Sequence, residues 1–405
     1  MSSARWVAGS IALALSGAVH AQDDDERRVR IGEAELYPSL RIDFVRDSNV
    51  TRVDGDPVEG EAVILRPRLE FRADKRQITL RAGYAGALSS GSEPALDWAD
   101  HRLDGGVDAR LGIRGRVQVG ASLAREHEAP GQNLTAGRED LADTPVEFND
   151  VEVLATFTYG AAQALGNVSA GLRYDTRHYV NLTEVTDGRD NARVEPFARF
   201  GYRLGGDTRL FAEFSWIDAG FDDEVRDYTA PGLFAGLTFN ATGRLVGDVR
   251  IGVRDVDFDS PRGQDGAGLF LSGGVDYSPS TISTFSLDLS REVDDSANFV
   301  DDGEEFRAIR TRADLTWVRE WSARFSTTAY GGIIVRERDC PDLDRTTTTA
   351  GIEGAVSIRR WLQVGASFAA NTRSTNDCGD RGDGVNRGGL EFDRQVAGVY
   401  IRVTR

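Results

Sequence analysis

From about residue 35 to the C-terminus the chain alternates apolar and polar positions in short blocks. In the run Val63-Ile64-Leu65-Arg66-Pro67-Arg68-Leu69-Glu70-Phe71-Arg72 the odd positions are apolar and nearly all even ones charged. Successive side chains of an extended strand point to opposite faces, so such a block forms a two-faced strand. Past a polar link with Asp74-Lys75 at its tip, Ile78, Leu80, Ala82, Tyr84 and Leu88 share one face, and Thr79, Arg81 and Gly83 the other. The same pattern sets Leu103, Val107, Ala109 and Leu111 against Arg102, Asp104, Asp108 and Arg110. It sets Leu210, Ala212, Phe214 and Trp216 against Arg209, Glu213 and Ser215, and Val249, Ile251 and Val253 against Asp248, Arg250 and Arg254. Phe285, Leu287 and Leu289 likewise oppose Ser286, Asp288 and Ser290. Period-two segments of this kind number about eighteen, from 35–47, 61–73 and 76–88 through to 344–358, 361–374 and 388–404.

The links between segments fall into two kinds. Those after even-numbered segments are short: 74–75, 113–114, 161–165, 204–206, 242–243, 278–281, 320 and 359–360. Those after odd-numbered segments are longer, polar and often acidic: 48–60, 89–97, 128–146, 181–189, 220–225, 259–264, 295–303, 338–343 and 375–387. A soluble sandwich has no reason to segregate loop lengths by strand end. An outer-membrane barrel does, with short periplasmic turns, long outer loops, an apolar face toward lipid and a polar face toward the lumen. The fold expected is therefore all-β: a transmembrane antiparallel up-and-down β-barrel with both termini on the periplasmic side. Trp317, Trp321 and Trp361, with Tyr159, Tyr202 and Tyr277, fall at segment ends near short turns, where an aromatic girdle would lie.

The N-terminus and the charge place this barrel. Arg5 precedes the apolar run Trp6–Val19, which closes on Val19-His20-Ala21. At about 14 residues the run falls short of the roughly 20 that an anchor helix needs. A secretory signal peptide cut before Gln22 is favoured over an anchor, and no Cys follows to carry a lipid. The expected organisation is a signal peptide at 1–21, a short periplasmic segment at 22–34 and the barrel at 35–405. The net charge of −17 becomes −18 when Arg5 leaves with the signal peptide (−17 − 1). Such acidity argues against nucleic acid as a partner. It fits loops beside lipopolysaccharide, whose anionic groups are bridged by divalent cations. Outer-membrane lipid and the barrel-assembly machinery are the partners expected in a bacterial outer membrane.

Glu35-Leu36-Tyr37-Pro38-Ser39-Leu40 leads through Arg46-Asp47-Ser48-Asn49-Val50-Thr51-Arg52 to Leu65-Arg66-Pro67-Arg68-Leu69. This order resembles the opening of the beta-barrel porin 2 family of outer-membrane proteins, in which a P-S-L strand, a D-N-V-x-R loop and an L-R-P strand follow one another. Ser290-Arg291-Glu292-Val293 extends the likeness. Ser48 stands where the family commonly has Asp, and Thr51 where an aromatic or aliphatic residue is common. Ala397, Val399, Ile401 and Val403 alternate like the strand read by the assembly machinery, but the chain ends on Arg405 where a terminal Phe is commonest. The resemblance implies a barrel. It also brings in polysaccharide export proteins as partners, since some members are associated with exopolysaccharide or capsule export.

Catalysis finds little in the sequence to work with. His101, His127 and His178 lie near loop-side segment ends, and only His101 has a dense acidic neighbourhood, at Asp97 and Asp100. No phosphate-binding Gly loop, zinc spacing or HExxH occurs, so no catalytic residue, metal site or cofactor is expected and the chain reads as no enzyme. The acidic loop runs Asp222-Asp223-Glu224 and Asp301-Asp302-Gly303-Glu304-Glu305 match no EF-hand and read as solvated loops. Cys340 and Cys378 lie in the eighth and ninth long loops on one side of the barrel, and an oxidising exported context favours a disulfide over free thiols or metal ligation. The inward faces carry the functional expectation. Arg66, Arg68, Arg72, Arg81, Arg102 and Arg110 would line the lumen with Glu70, Asp104 and Asp108, and loop 128–146 could narrow it. A porin-like channel passing hydrophilic solutes by charge and size is the leading reading. An exopolysaccharide or capsule export component, and a closed structural or adhesive barrel filled by salt bridges, remain alternatives.

Overall fold

A computed structural model describes residues 29–53, 56–135, 141, 143–161, 163–240, 243–260, 265–293, 299–301, 304–306, 308–338, 344–376 and 391–404. Eighteen long strands make the barrel. The first six are β1 (Ala34–Asp47), β2 (Gly60–Lys75), β3 (Ile78–Gly91), β4 (Trp98–Leu111), β5 (Gly115–Glu128) and β6 (Val146–Tyr159). Next come β7 (Gly166–Tyr179), β8 (Asn191–Gly205), β9 (Thr208–Phe221), β10 (Tyr228–Asn240), β11 (Leu245–Phe258) and β12 (Gly266–Ser280). The last are β13 (Ser283–Val293), β14 (Ala308–Ser322), β15 (Phe325–Arg338), β16 (Asp344–Arg359), β17 (Leu362–Asn376) and β18 (Phe392–Thr404). A short strand, Val29–Ile31, folds back onto β1 through Gly32, whose φ of 66° suits a residue without a Cβ.

Every long strand pairs antiparallel with its sequence neighbours, and β1 pairs with β18 from Ser39↔Thr404 to Asp47↔Val396. The sheet is thus closed and has no edge, which satisfies the backbone polar groups where no water can. The rim that receives both ends of the sheet carries the short turns. Arg76-Gln77 forms the first of them, so β2 runs past the expected tip to pair Lys75 with Ile78. The turn after β14 lies at 323–324, not at 320, because Ser322 pairs with Phe325. Trp321 then belongs to β14, with its Nε1 donating to Thr327 Oγ1 at 3.0 Å and Arg319 over its ring. At the other rim the long connections carry one-turn elements: Pro94–Leu96, Asn133–Thr135, Thr183–Thr186 and Glu224–Arg226. The connection from β13 to β14 holds a small hairpin, Phe299–Asp301 against Glu304–Phe306.

The register explains the two faces. Leu40, Leu65, Leu103, Phe214, Leu233 and Ile251 all sit on one side of the sheet and are exposed, as are their equivalents around the circumference. A continuous apolar belt of this size far exceeds the few hundred Å² that a soluble monomer tolerates. Lipid is the solvent that suits it. Exposed Tyr159, Tyr202, Tyr277, Trp321 and Trp361 border the belt at the short-turn rim. There Tyr277, Phe285 and Trp317 stack in sequence across β12, β13 and β14, and Trp317 Nε1 donates to Ser283 Oγ at 2.8 Å.

At the long-loop rim the pattern inverts. Asp218, Asp255 and Asp257 occupy the outward register of β9 and β11, while Ile217, Ala219, Phe221, Val256 and Phe258 turn inward and are buried. Arg125 meets Glu147 on the outer face at 2.6 Å, and Arg291 meets Glu337 at 2.7 Å. The strands therefore project beyond the lipid, and there the barrel becomes an ordinary protein with an apolar inside.

Candidate functional site

The inner wall from β7 to β11 is built in three layers. Glycines open recesses in it: a Cβ on Gly171 would lie 2.5 Å from the Phe197 ring, and one on Gly236 would lie 2.2 Å from that of Phe211. Flat rings fill these recesses, and guanidinium groups lie on the rings. Arg173 stands 4.2 Å over Phe197, Arg199 4.0 Å over Phe211 and Arg250 4.9 Å over Phe234. Each such contact contributes about 0.5–2 kcal/mol, depending on desolvation. The rings also fix the long side chains, which would otherwise lose considerable rotamer freedom on ordering.

Carboxylates lie among these arginines and tie them together. Glu213 receives Arg199 Nη2 and Arg250 Nη1, each at 2.5 Å, with Arg173 Nη2 at 3.7 Å. Glu195 receives Arg254 Nη2 at 2.6 Å and Arg173 Nη1 at 3.1 Å. Arg254 also donates to Ser215 Oγ at 2.9 Å, and Arg250 Nε to Ser272 Oγ at 2.8 Å. Exposure separates the two signs of charge. The side chains of Arg173, Arg199 and Arg250 are 28%, 30% and 22% exposed, against 8% for Glu195 and 0% for Glu213. These three arginines face the water of the lumen, and the two acids lie beneath them with Arg254. Asp248, on the inner register of β11, is the exposed acid next to this group.

A second cluster closes the sheet. Arg41 lies 3.6 Å over the Tyr400 ring, bonds Asp43, and reaches Glu353 at 3.1 Å. Tyr400 donates to Glu353 Oε1 at 2.8 Å, and Arg66 Nε donates to Asp43 Oδ2 at 3.0 Å. Strands β16, β18, β1 and β2 are thus joined by one network across the seam between the two ends of the chain.

The segment 129–135, after β5, turns inward at the long-loop rim. Arg52, in the β1–β2 loop, donates through Nη1 to Pro130 O at 3.0 Å and to Val50 O at 3.3 Å. Arg373, on the inner face of β17, donates through Nη1 to Gly131 O at 2.6 Å. Five strands separate β17 from β5 around the closed sheet, so this contact carries the loop across the mouth. Gly131 has φ of 69°, and a Cβ there would lie 2.4 Å from Thr51 O, so the approach requires glycine. Leu134 packs on Val146, Phe148 and Tyr179, which anchors the loop on its own side. Asp47 bonds Arg394 Nη2 at 2.5 Å and caps Asn49 N at 3.0 Å. Burial pushes the Arg52 guanidinium well below its usual pKa; the Arg394 charge adds to this and Asp47 opposes it.

The register places the residues singled out by sequence on the inner face, six of the nine in ion pairs or hydrogen bonds among the described residues. Arg66 joins the seam network, Arg68 meets Glu70 at 2.6 Å, and Arg72 meets Asp74 at 2.7 Å. Arg102 donates to Glu126 and Ser122, each at 3.0 Å. Asp108 accepts from Arg116 Nε at 2.9 Å, with Arg81 and Arg110 adding their charge around it. Asp104 lies over Gly83. These residues form the β2–β5 quarter of the wall. Alternation in the sequence put Glu213, Arg250 and Arg254 on polar faces but did not gather them with Arg173, Glu195 and Arg199 into a cluster, although Phe197, Phe211 and Phe234 in phase with the arginines were a usable signal.

The histidines do not gather. His101 Nδ1 meets Tyr84 Oη at 3.0 Å on the outer face, whereas Asp100 meets His127 Nδ1 at 2.8 Å and Asp97 accepts from Gly91 N at 2.9 Å. His178 pairs with Asp190. In the acidic run at 222–224, Asp223 accepts from Val225 N at 3.4 Å and faces Arg226. Cys340, Cys378 and the signal-peptide residues lie outside the described residues, as do the side chains of 301–305.

A family model described as "Putative beta-barrel porin 2" matches residues 28–303. No curated protein matches the chain. Among solved structures it is similar to OccK11 (OpdR) of Pseudomonas aeruginosa, with 15% identity over 91% of this chain and 96% of that one, at a TM-score of 0.43. It is similar to the outer membrane channel DcaP of Acinetobacter baumannii, with 15% identity over 92% and 97% and a TM-score of 0.45. It is also similar to the siderophore receptor PirA of Acinetobacter baumannii, with 8% identity over 93% and 81% and a TM-score of 0.44.

Proposed function

The chain belongs to the putative beta-barrel porin 2 family, and from that premise we propose that it is an outer-membrane channel for passive passage of small hydrophilic solutes. The observation that carries this reading is the wet, charged middle of the barrel. Arg173, Arg199 and Arg250 lie on the inner face of a closed sheet and keep about a quarter of their surface in water. A protein plug would cover them. The segment 129–135 narrows the far mouth, and solutes pass beside it. Both termini lie in the periplasm and the long loops face outward. Membrane lipid and lipopolysaccharide cover the apolar belt, and the assembly machinery reads β18.

Conductance tests this. Purified protein inserted in planar bilayers should carry a steady ohmic current at low voltage, in discrete steps. If folded protein, shown by heat-modifiable migration, inserts and carries no current, the channel reading fails. A closed barrel would then direct attention to export or structure.

A further inference from the structure

We infer that the channel selects small oxyanions, bound where Arg52 and Arg373 meet the inward loop. This rests on the channel reading above and adds a solute class and a site to it. The two guanidinium groups bond the carbonyls of consecutive residues, Pro130 and Gly131, and so are held close together. Among the described residues no carboxylate bonds either one. Asp47, the described acid whose charge acts on Arg52, is occupied by Arg394. Both arginines are more than nine-tenths buried, and Arg373 Nε has no hydrogen-bond partner. Neutral carbonyls satisfy a guanidinium's hydrogens but not its charge. Two buried cations side by side repel strongly in low dielectric. An anion between them removes that cost, and a carboxylate or phosphate offers oxygens matched to the guanidinium fork.

Guanidinium groups also reach the lumen elsewhere on the wall. Along β7–β11 Arg173, Arg199 and Arg250 keep 22–30% of their side chains exposed while Glu195 and Glu213 lie covered, with Asp175 and Asp248 as the acids that reach the lumen there, and at the seam Arg66 is 38% exposed against 7% for Asp43. The whole chain has a net charge of −17, so a pore governed by overall charge would prefer cations. The local geometry and the global charge thus give opposite expectations.

A tenfold potassium chloride gradient across a bilayer holding the full-length mature protein decides between them. The reversal potential should have the sign of chloride permeation. Acetate or inorganic phosphate added to the chloride bath should reduce the current, and the one effective at lower concentration names the head group. Arg52→Gln with Arg373→Gln keeps an amide donor for each loop carbonyl but removes the charge, and should lower the anion-to-cation permeability ratio several-fold. Arg52→Lys with Arg373→Lys should retain it. Cation selectivity in the unaltered protein overturns the inference and leaves the channel reading standing, as does indifference to both oxyanions. Equal selectivity in the glutamine and unaltered proteins removes the site. No current at all overturns both readings.

Discussion

Glu213→Leu should unfold the barrel at distinctly lower denaturant than the unaltered protein. Glu213 is a fully covered carboxylate that receives Arg199 and Arg250 and lies near Arg173, and among the described residues no other acid pairs with all three. Removing one partner from a fully buried charge network costs about 3–5 kcal/mol. The three arginines here keep contact with lumen water, which recovers part of the loss, so about 2 kcal/mol is the expected cost. Urea unfolding of protein refolded into lipid vesicles measures it. Glu213→Gln keeps an acceptor oxygen and should fall between the two. If Glu213→Leu unfolds with the unaltered protein, the arginines are held by their aromatic seats and water alone, and the network is ornamental to stability.

Gly236→Val should prevent assembly outright. A Cβ at 236 would lie 2.2 Å from the Phe211 ring and 2.5 Å from the backbone oxygen of Val249. A side chain could swing away, but a ladder carbonyl in the middle of a closed sheet cannot. Overpacking in a yielding core costs about 1–3 kcal/mol, and a backbone clash raises that. Phe211 would also leave its recess and take the support from beneath Arg199. The control is Gly220→Val, because nothing lies within 4 Å of a Cβ at 220. The folded fraction recovered in vesicles, read by heat-modifiable migration, should be near zero for the first and close to normal for the second. Normal assembly of Gly236→Val would mean that the recess-and-ring construction of the wall is wrong.

The fold was largely legible because a barrel writes its topology twice in the sequence. Alternation gave the strands, and the regular change from short to long links gave closure and the common rim for both ends. Boundaries slipped where local residues did not mark the turn. Lys75 and Arg76 are equally at home in a turn or a solvated strand end, so only pairing with Ile78 places the tip. Trp321 looked like the start of a strand and closes one instead, because the Ser322↔Phe325 pair fixes the turn beyond it.

The inner wall was legible in part. Its face could be assigned for Arg66, Arg102 or Arg254 from the opposing aliphatics. Which arginines would gather could not, since Arg41, Glu353 and Tyr400 are distant in sequence and meet only when the ends of the sheet join. The inversion at the long-loop rim was visible in Arg254-Asp255-Val256-Asp257-Phe258. There the charges change face because the outside of the barrel has left lipid for water. An aromatic that shares phase with arginines, such as Phe211 or Phe234, reads as a phase error until the glycine opposite is noticed.

The inside-out arrangement itself is tested most directly at two adjacent residues of β2, Leu65 and Arg66. In a background with Cys340→Ser and Cys378→Ser, Leu65→Cys and Arg66→Cys are reconstituted separately into lipid vesicles. A charged, membrane-impermeant maleimide should modify the Arg66→Cys protein rapidly and leave the Leu65→Cys protein unmodified. A fluorophore attached at 65 before reconstitution should be quenched by spin-labelled acyl chains. Rapid modification at 65 with protection at 66 would contradict the arrangement, for the charged face would then be the one turned to lipid.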